Sequence, residues 1–324
     1  MKVRGVNRRD FLVQATLTAA GAGVVGSVAA GTTLASAGTP GSAAQVLHTA
    51  MAAPQERPDT YPVLKKGIQW DKAPNSRSDA ERMALIKEAG IDGIEAYPVE
   101  DLDAAKMFGE LAREIGVPVH SITYGGWGAP MSSPDPEVIA RGHAEIEQAL
   151  RTAKAMGADT VLLVPAVVTE QVRYGEAWEN SQKNIRPMIP IAEELGVVIA
   201  VENVWNRFLL SPLEFASYVD EFDSPWVEAY FDIANVILFG YPQDWIRTLG
   251  KRIRRIHVKD FRRDGMHWPN LPYDGDVNWP EVRQALYEIG YTGWGTEEFG
   301  GGDEDWLYEL SRRMDLFTAG AAEA

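Results

Sequence analysis

The chain is expected to fold as a single (β/α)8 barrel, the α/β architecture in which eight parallel strands close on themselves inside a ring of helices. Three observations carry that expectation. From Lys66 onward, short apolar runs alternate with amphipathic stretches eight times over about 250 residues, the usual size of such a barrel. Three helices end in the same junction: Glu88-Ala89-Gly90-Ile91-Asp92, Glu114-Ile115-Gly116-Val117 and Glu194-Leu195-Gly196-Val197. Glycine there supplies the positive φ that stops a helix before the next strand. Finally, four consecutive strands end in Glu202, Asp232, His257 and Glu298, and barrels carry their chemistry at the carboxyl ends of strands. An open doubly wound sheet is the alternative. It normally shows a Gly-rich phosphate loop near the first strand, and Trp70-Asp71-Lys72-Ala73-Pro74 is not one.

The elements follow in order. Gly67-Ile68-Gln69-Trp70 reads as a first strand, and residues 78–89 as a helix capped by Ser78 or Asp79. Gly93-Ile94-Glu95-Ala96 is the second strand and residues 102–115 its helix. The third strand spans residues 117–122; a Gly/Pro/Ser loop and a long helix over 135–156 follow. The fourth covers 160–164, with one helix from about 176 to 195. The fifth ends at Glu202 before a helix opened by Ser211-Pro212, and the sixth at Asp232 before a short helix around Trp245. The seventh, Arg255-Ile256-His257-Val258-Lys259-Asp260, rises in polarity at its end as a buried parallel strand does on leaving a sheet. Its helix starts near Trp279-Pro280. The eighth ends at Glu298, and a helix over 303–317 closes the series.

Ahead of the barrel, expected over residues 63–324, lie two other segments. Asn7-Arg8-Arg9-Asp10-Phe11-Leu12 is a twin-arginine pattern, followed by a mildly apolar run and by Ala35-Ser36-Ala37, a small-residue cleavage site. Residues 1–37 therefore resemble a twin-arginine export signal, with a periplasmic or extracellular destination and membrane contact through the signal alone. An amino-terminal membrane anchor is the competing account. Residues 38–62 read as a Gly/Ala/Pro-rich flexible linker. The chain has no cysteine, which removes disulfides and zinc-thiolate sites. Its net charge of −15 disfavours nucleic acid, whose phosphates need a basic footprint. Oligomeric state, including a homo-oligomer, is left open.

In a closed barrel Glu202, Asp232, His257 and Glu298 sit on neighbouring strands around half of one mouth. A single strand-end acid is as often a cap for the next helix, but four in register on strands five to eight are hard to read that way. Three carboxylates and an imidazole without a thiol suit one six-coordinate divalent cation, Mn²⁺ first and Mg²⁺ or Co²⁺ as alternatives. Glu95, His120, Asn203 and Lys259 are further candidates for the mouth, as contacts to a substrate. Lys259 points the same way as His257, two residues before it.

The segments Val201-Glu202-Asn203, Phe231-Asp232-Ile233-Ala234-Asn235, His257-Val258-Lys259-Asp260 and Tyr291-Thr292-Gly293-Trp294 through Glu298 resemble the sugar isomerase/epimerase family with a xylose-isomerase-like TIM barrel. Asp274-Gly275-Asp276-Val277-Asn278-Trp279 is similar to that family's entry to the seventh helix. The resemblance implies that Glu202, Asp232, His257 and Glu298 are metal ligands. Glu297 is the rival for the last place, and counting on from Tyr291 without gaps favours Glu298. It also implies that Glu202 and Glu298 are the acid/base pair of a sugar isomerase or epimerase, which abstracts a proton beside a carbonyl through a metal-stabilised enediolate.

Two positions depart from the epimerase branch: Asn235 replaces a substrate-contacting histidine and Phe208 a glutamate. Both weaken the case for a free ketohexose. Asn235 and Arg263 join the substrate-binding candidates, and Arg262 with Arg263 keeps a phosphosugar open. Asp303-Glu304-Asp305 opening the last helix, together with export, points to a non-phosphorylated carbohydrate. A lyase acting on an oxidised glycoside and a non-catalytic sugar-binding barrel are the alternatives. A nuclease-like barrel lacks its histidines and its basic groove. Trp127, Trp205, Trp268 and Trp279 fall near the carboxyl-side loops, as sugar-facing rings or as packing anchors.

Overall fold

The protein, examined as a computed structural model, is described at Pro58 and over residues 61–75 and 77–319. The expected export signal lies outside the described residues, as does all of the expected linker except Pro58, Tyr61 and Pro62. Eight parallel strands pair in sequence order and close, β8 against β1. They are β1 (Lys65–Gln69), β2 (Gly93–Ala96), β3 (Val119–Gly125), β4 (Thr160–Leu163), β5 (Val198–Glu202), β6 (Val227–Asp232), β7 (Ile253–Val258) and β8 (Trp294–Glu297). Around them run the helices α1 (Asp79–Glu88), α2 (Leu102–Ile115), α3 (Pro136–Met156), α4 (Tyr174–Ile185), α5 (Ile189–Leu195), α6 (Pro212–Asp220), α7 (Pro242–Leu249), α8 (Trp279–Glu288) and α9 (Glu304–Thr318).

The local signals act as their chemistry dictates. Ser78 and Glu81 form a reciprocal capping box that starts α1, and Asp101, Asp135 and Asp303 cap α2, α3 and α9 through side-chain oxygens. The three junction glycines adopt φ of 81° (Gly90), 91° (Gly116) and 68° (Gly196). The single helix expected over 176–195 is two: Pro187 and Pro190 carry no N–H, and a 3-10 turn at Arg186–Met188 separates α4 from α5. The third strand also runs later than expected, over Val119–Gly125 instead of 117–122.

Apolar side chains segregate into two bodies. The larger lies between sheet and helices and includes Ile68, Met83, Ile94, Leu150, Ile199, Phe231, Leu286 and Phe317. The smaller is a plug inside the barrel, formed by Leu162, Ala200 and Tyr230. The rest of the interior is polar: Gln69 pairs with Glu95, Glu95 with Ser121, Asp232 with His257 and His257 with Thr296 across adjacent strands, and all six are buried. Barrels of this size are usually filled with branched apolar residues, so this interior is committed to something other than packing.

Helix α2 approaches the end of α3 closely at Gly109, where an added Cβ would lie 2.2 Å from the Met156 carbonyl oxygen and 2.5 Å from its Cα. Backbone cannot swing aside as a side chain does. Gly109→Ala gains about 1 kcal/mol of helix propensity and loses more to the forced separation. A net destabilisation of about 1–3 kcal/mol is expected, read as a lower midpoint in denaturant unfolding with unchanged slope.

Candidate metal centre

Strand geometry places the site. Along β5 to β8 every second side chain faces the barrel axis; the last inward positions of β5, β6 and β7 are Glu202, Asp232 and His257, and β8 ends at Glu297, one residue short of the expected Glu298, which follows in step with inward Thr296. Glu202, Asp232, His257 and Glu298 each offer one ligand atom, and these atoms all lie within 4.8 Å of one another. His257 Nδ1 is 2.9 Å from Glu202 Oε1 and 3.7 Å from Glu298 Oε2. The Asp232 Oδ1 accepts from the backbone N–H groups of Ala234 and Asn235, both at 2.8 Å. Its Oδ2 is buried without a hydrogen-bond partner among the described residues. Lys259 follows on the same face, its Nζ 2.9 Å from Glu298 Oε2 and 3.8 Å from Asp232 Oδ2.

The electrostatics follow from crowding. Burial pushes the Asp232 carboxyl up to about 8, helped by the Glu298 and Glu202 carboxylates and opposed by Lys259. Burial likewise raises Glu202, against the pull of His257. The His257 imidazole is disfavoured as a cation by its burial, yet Glu95 and Glu202 on either side hold its pKa well above the usual range. Three carboxylates, one with an orphaned buried oxygen, around one imidazole nitrogen fit a hard divalent cation.

Glu298, not Glu297, reaches the cluster. Glu297 faces the other side of β8, where its oxygens accept from the N–H groups of Gln69 at 3.0 Å and Phe299 at 2.9 Å, fastening β8 to β1. The other candidates are placed as follows. Glu95 is fully buried beneath the cluster: His257 Nε2 lies 2.9 Å from its Oε1, and Gln69, Ser121 and Tyr230 occupy the rest of the carboxylate. His120 is buried in the barrel, stacked on Trp294 at 4.1 Å with its Nε2 3.1 Å from Thr296 Oγ1. Asn203 spends its amide on the Asp232 backbone, donating to its carbonyl and accepting from its N–H, both at 3.0 Å. Asn235 donates to the Asn203 carbonyl at 3.0 Å and so fastens the β5 loop to the β6 loop. The Arg263 Nε donates to the Ile237 carbonyl at 2.9 Å, beyond the cluster. Phe208 is buried among Tyr174, Trp178 and Tyr218 and is a packing residue. Of the substrate-binding candidates, Lys259 alone is ion-paired to the cluster carboxylates.

Sequence reasoning passed over Gln69, Ser121 and Tyr230, the donors below Glu95. Their signal was alternation on the inward face of β1, β3 and β6, which becomes readable once strand register is known. Beside the cluster, Trp268 lies under the Lys259 ammonium at 4.5 Å, with Trp205 at 5.0 Å and Phe261 at 4.7 Å from its ring. Trp279 is a packing anchor, its Nε1 donating to Asp260 at 3.2 Å.

The chain belongs to the xylose isomerase-like TIM barrel family, whose model matches residues 83–314. Among its relatives, L-ribulose-5-phosphate 3-epimerase UlaE of Escherichia coli O1:K1 is 24% identical over 273 residues, covering 80% of this chain and 95% of that protein. A D-psicose 3-epimerase crystal structure superposes with a TM-score of 0.67 at 20% identity, covering 80% of this chain and 100% of the other. The 3-keto-D-glucoside 4-epimerase YcjR of E. coli gives 0.68 at 18% identity, covering 78% and 98%. At these identities the structural likeness establishes the fold. All three relatives are sugar epimerases, which are isomerases.

The long segment 259–278 carries Trp268 past the cluster, and one side chain pins it. The buried Asp260 carboxylate accepts from the N–H groups of Phe261, Tyr273, Gly275 and Val277 at 2.9–3.2 Å, besides Trp279. Each buried donor left unmet costs about 1–3 kcal/mol. Asp260→Ala is expected to lower the melting temperature and to speed hydrogen exchange at Tyr273, Gly275 and Val277 before the strands exchange.

Proposed function

We propose that this chain is a divalent-metal-dependent sugar isomerase or epimerase that works by removing a proton next to a carbonyl. The convergence of Glu202, Asp232, His257 and Glu298 carries the reading, and membership of a family whose relatives include sugar epimerases supports it. In this reading those four residues hold one cation, Mn²⁺ in first place and Mg²⁺ or Co²⁺ as alternatives. When bound, the cation would polarise the substrate carbonyl and offset the charge that develops on its oxygen, an effect of several kcal/mol in typical cases.

The remaining work belongs to side chains. Glu202 and Glu298 stand on strands three apart in the barrel and act as the acid/base pair, one taking the proton and the other returning it. A positioned base of this kind contributes roughly 10²–10⁴-fold. Lys259 orients the Glu298 carboxylate and sets a positive charge beside the cluster. Trp268, tied into the Trp205–Phe261 cluster, walls that side of the site and keeps water from the reacting carbon.

A non-phosphorylated carbohydrate is favoured as substrate. The Arg262 guanidinium donates to the Asp274 carbonyl and lies near Asp276, and the Arg263 Nε donates to Ile237, beyond the cluster. The start of α9 is capped by Asp303 and followed by Glu304 and Asp305, a poor place for an anion. Export by the twin-arginine route, proposed from Asn7-Arg8-Arg9-Asp10-Phe11-Leu12, agrees with a substrate met outside the cytoplasm.

The deciding measurement is a panel of ketoses, ketose phosphates and keto-glycosides in D2O with Mn²⁺, followed by NMR. Deuterium is expected at the carbon beside the carbonyl of a non-phosphorylated member. Glu202→Gln and Glu298→Gln are each expected to cut that exchange by at least about 10²-fold. Exchange that survives both substitutions removes the assigned roles, and binding without exchange makes the barrel a sugar-binding protein.

A further inference from the structure

Below the cluster lies a charged group that the proposed chemistry does not use. Glu95, on β2, is fully buried, and an isolated carboxylate in such a place costs several kcal/mol unless its partners compensate. Four donors from four other strands surround it: Gln69 Nε2 of β1 at 3.1 Å and His257 Nε2 of β7 at 2.9 Å on Oε1, with the hydroxyls of Ser121 (β3) and Tyr230 (β6) on Oε2. The Tyr230 ring also leans on the imidazole, centroids 4.4 Å apart. His257 is therefore clamped along its Nδ1–Nε2 direction, with Glu95 at one end and Glu202 and Glu298 at the other.

We infer that Glu95 is a positioning residue, which fixes the His257 ring so that Nδ1 faces the cluster and thereby sets the affinity for the divalent cation from beneath the site. The inference rests on the metal reading proposed above. Both imidazole nitrogens lie 2.9 Å from a carboxylate oxygen, Nδ1 from Glu202 and Nε2 from Glu95; when Nδ1 gives its lone pair to a cation, Nε2 keeps the ring's one N–H and donates it to Glu95, which can only accept. Without the contact the ring is free to turn about χ2 and present a carbon to the cluster. A glutamine at 95 can donate as well as accept, so it no longer dictates which nitrogen is the ligand. The donors around Glu95 serve the same end one step back: Tyr230 and Ser121 fill Oε2, which leaves Oε1 aimed at the imidazole. Outer partners of ligating histidines are typically worth about 10–100-fold in metal affinity.

The test uses the full chain, stripped of metal and titrated with Mn²⁺ by electron paramagnetic resonance of the free ion. Glu95→Gln is expected to weaken Mn²⁺ binding by about 10–100-fold while the metal-free melting curve stays near that of the wild type. Its D2O exchange activity is expected to recover as Mn²⁺ is raised to saturation. A residue that acts on substrate would instead leave the rate low at saturating metal, and that result overturns the inference; so does unchanged Mn²⁺ affinity. Tyr230→Phe removes one donor from Glu95 without taking a hydrogen bond from His257 and is expected to weaken Mn²⁺ binding by a smaller factor. Should Glu95→Gln fail to fold, Tyr230→Phe decides, and wild-type affinity in it counts against the inference. If the wild type itself binds no Mn²⁺, Mg²⁺ or Co²⁺, the metal reading falls, an outcome distinct from a wild type that binds and variants that bind equally well.

Discussion

Negative charge gathered at one end of a closed sheet is the constraint on which this molecule turns. Glu202, Asp232 and Glu298 bring ligand atoms within 4.8 Å of each other and of His257. Two unit charges about 4 Å apart interact by about 4 kcal/mol at an effective dielectric of 20, a large fraction of the 5–15 kcal/mol that stabilises a typical domain. The fold meets this repulsion with what it has at hand: the Lys259 ammonium against Glu298 and Asp232, the His257 imidazole against Glu202, and two backbone N–H groups on Asp232 Oδ1. Asp232 Oδ2 stays without a hydrogen bond, and its carboxyl is still held up to about 8. In the reading proposed above, a divalent cation would supply the partner that this oxygen lacks.

Neighbouring features make sense as supports for that concentration of charge. The amides of Asn203 and Asn235 stitch the end of β5 to the end of β6, which fixes two of the four groups relative to each other. Glu297 ties the end of β8 to β1 and accepts from Phe299, which fixes the chain on both sides of Glu298. Asp260 gathers the β7 loop into a fixed path, and with it the Trp268 ring that lies on Lys259. None of these residues has to touch a substrate to matter to one.

How much of this could be read in advance is a question of periodicity. Strand order, the junction glycines and the closed barrel follow from patterns a few residues long, and they were legible. Convergence of Glu202, Asp232, His257 and Glu298 was legible too, since four strand ends on one rim meet once the sheet closes. Side-chain height inside the barrel was not. Glu95 and His120 look like rim residues in sequence, but β3 runs on to Gly125 and leaves His120 at its second position, while Glu95 is turned inward onto the Nε2 side of His257 and is fully buried. Asn203, Asn235 and Arg263 do lie near strand ends or loops, and each bonds to backbone twenty-six to thirty-two residues away. A composition of polar residues near a site cannot distinguish bonding to backbone from bonding to a ligand, because both need the same functional groups.

The interior polarity raises the question of what keeps such a barrel folded. An inner stack of Gln69, Glu95, Ser121, Tyr230, His257 and Thr296 contributes little hydrophobic stabilisation, and every unmet group in it would cost free energy. Two arrangements make it tolerable. The apolar plug of Leu162, Ala200 and Tyr230 fills one side of the interior, and the much larger apolar layer between strands and helices carries the burial that a smaller fold would have to find inside. Chemistry can then occupy the axis because stability resides in the wall. Tyr230 belongs to both the plug and the polar stack, with its ring in the one and its hydroxyl on Glu95 in the other, so the boundary between the stabilising and the reactive parts of this barrel runs through a single side chain.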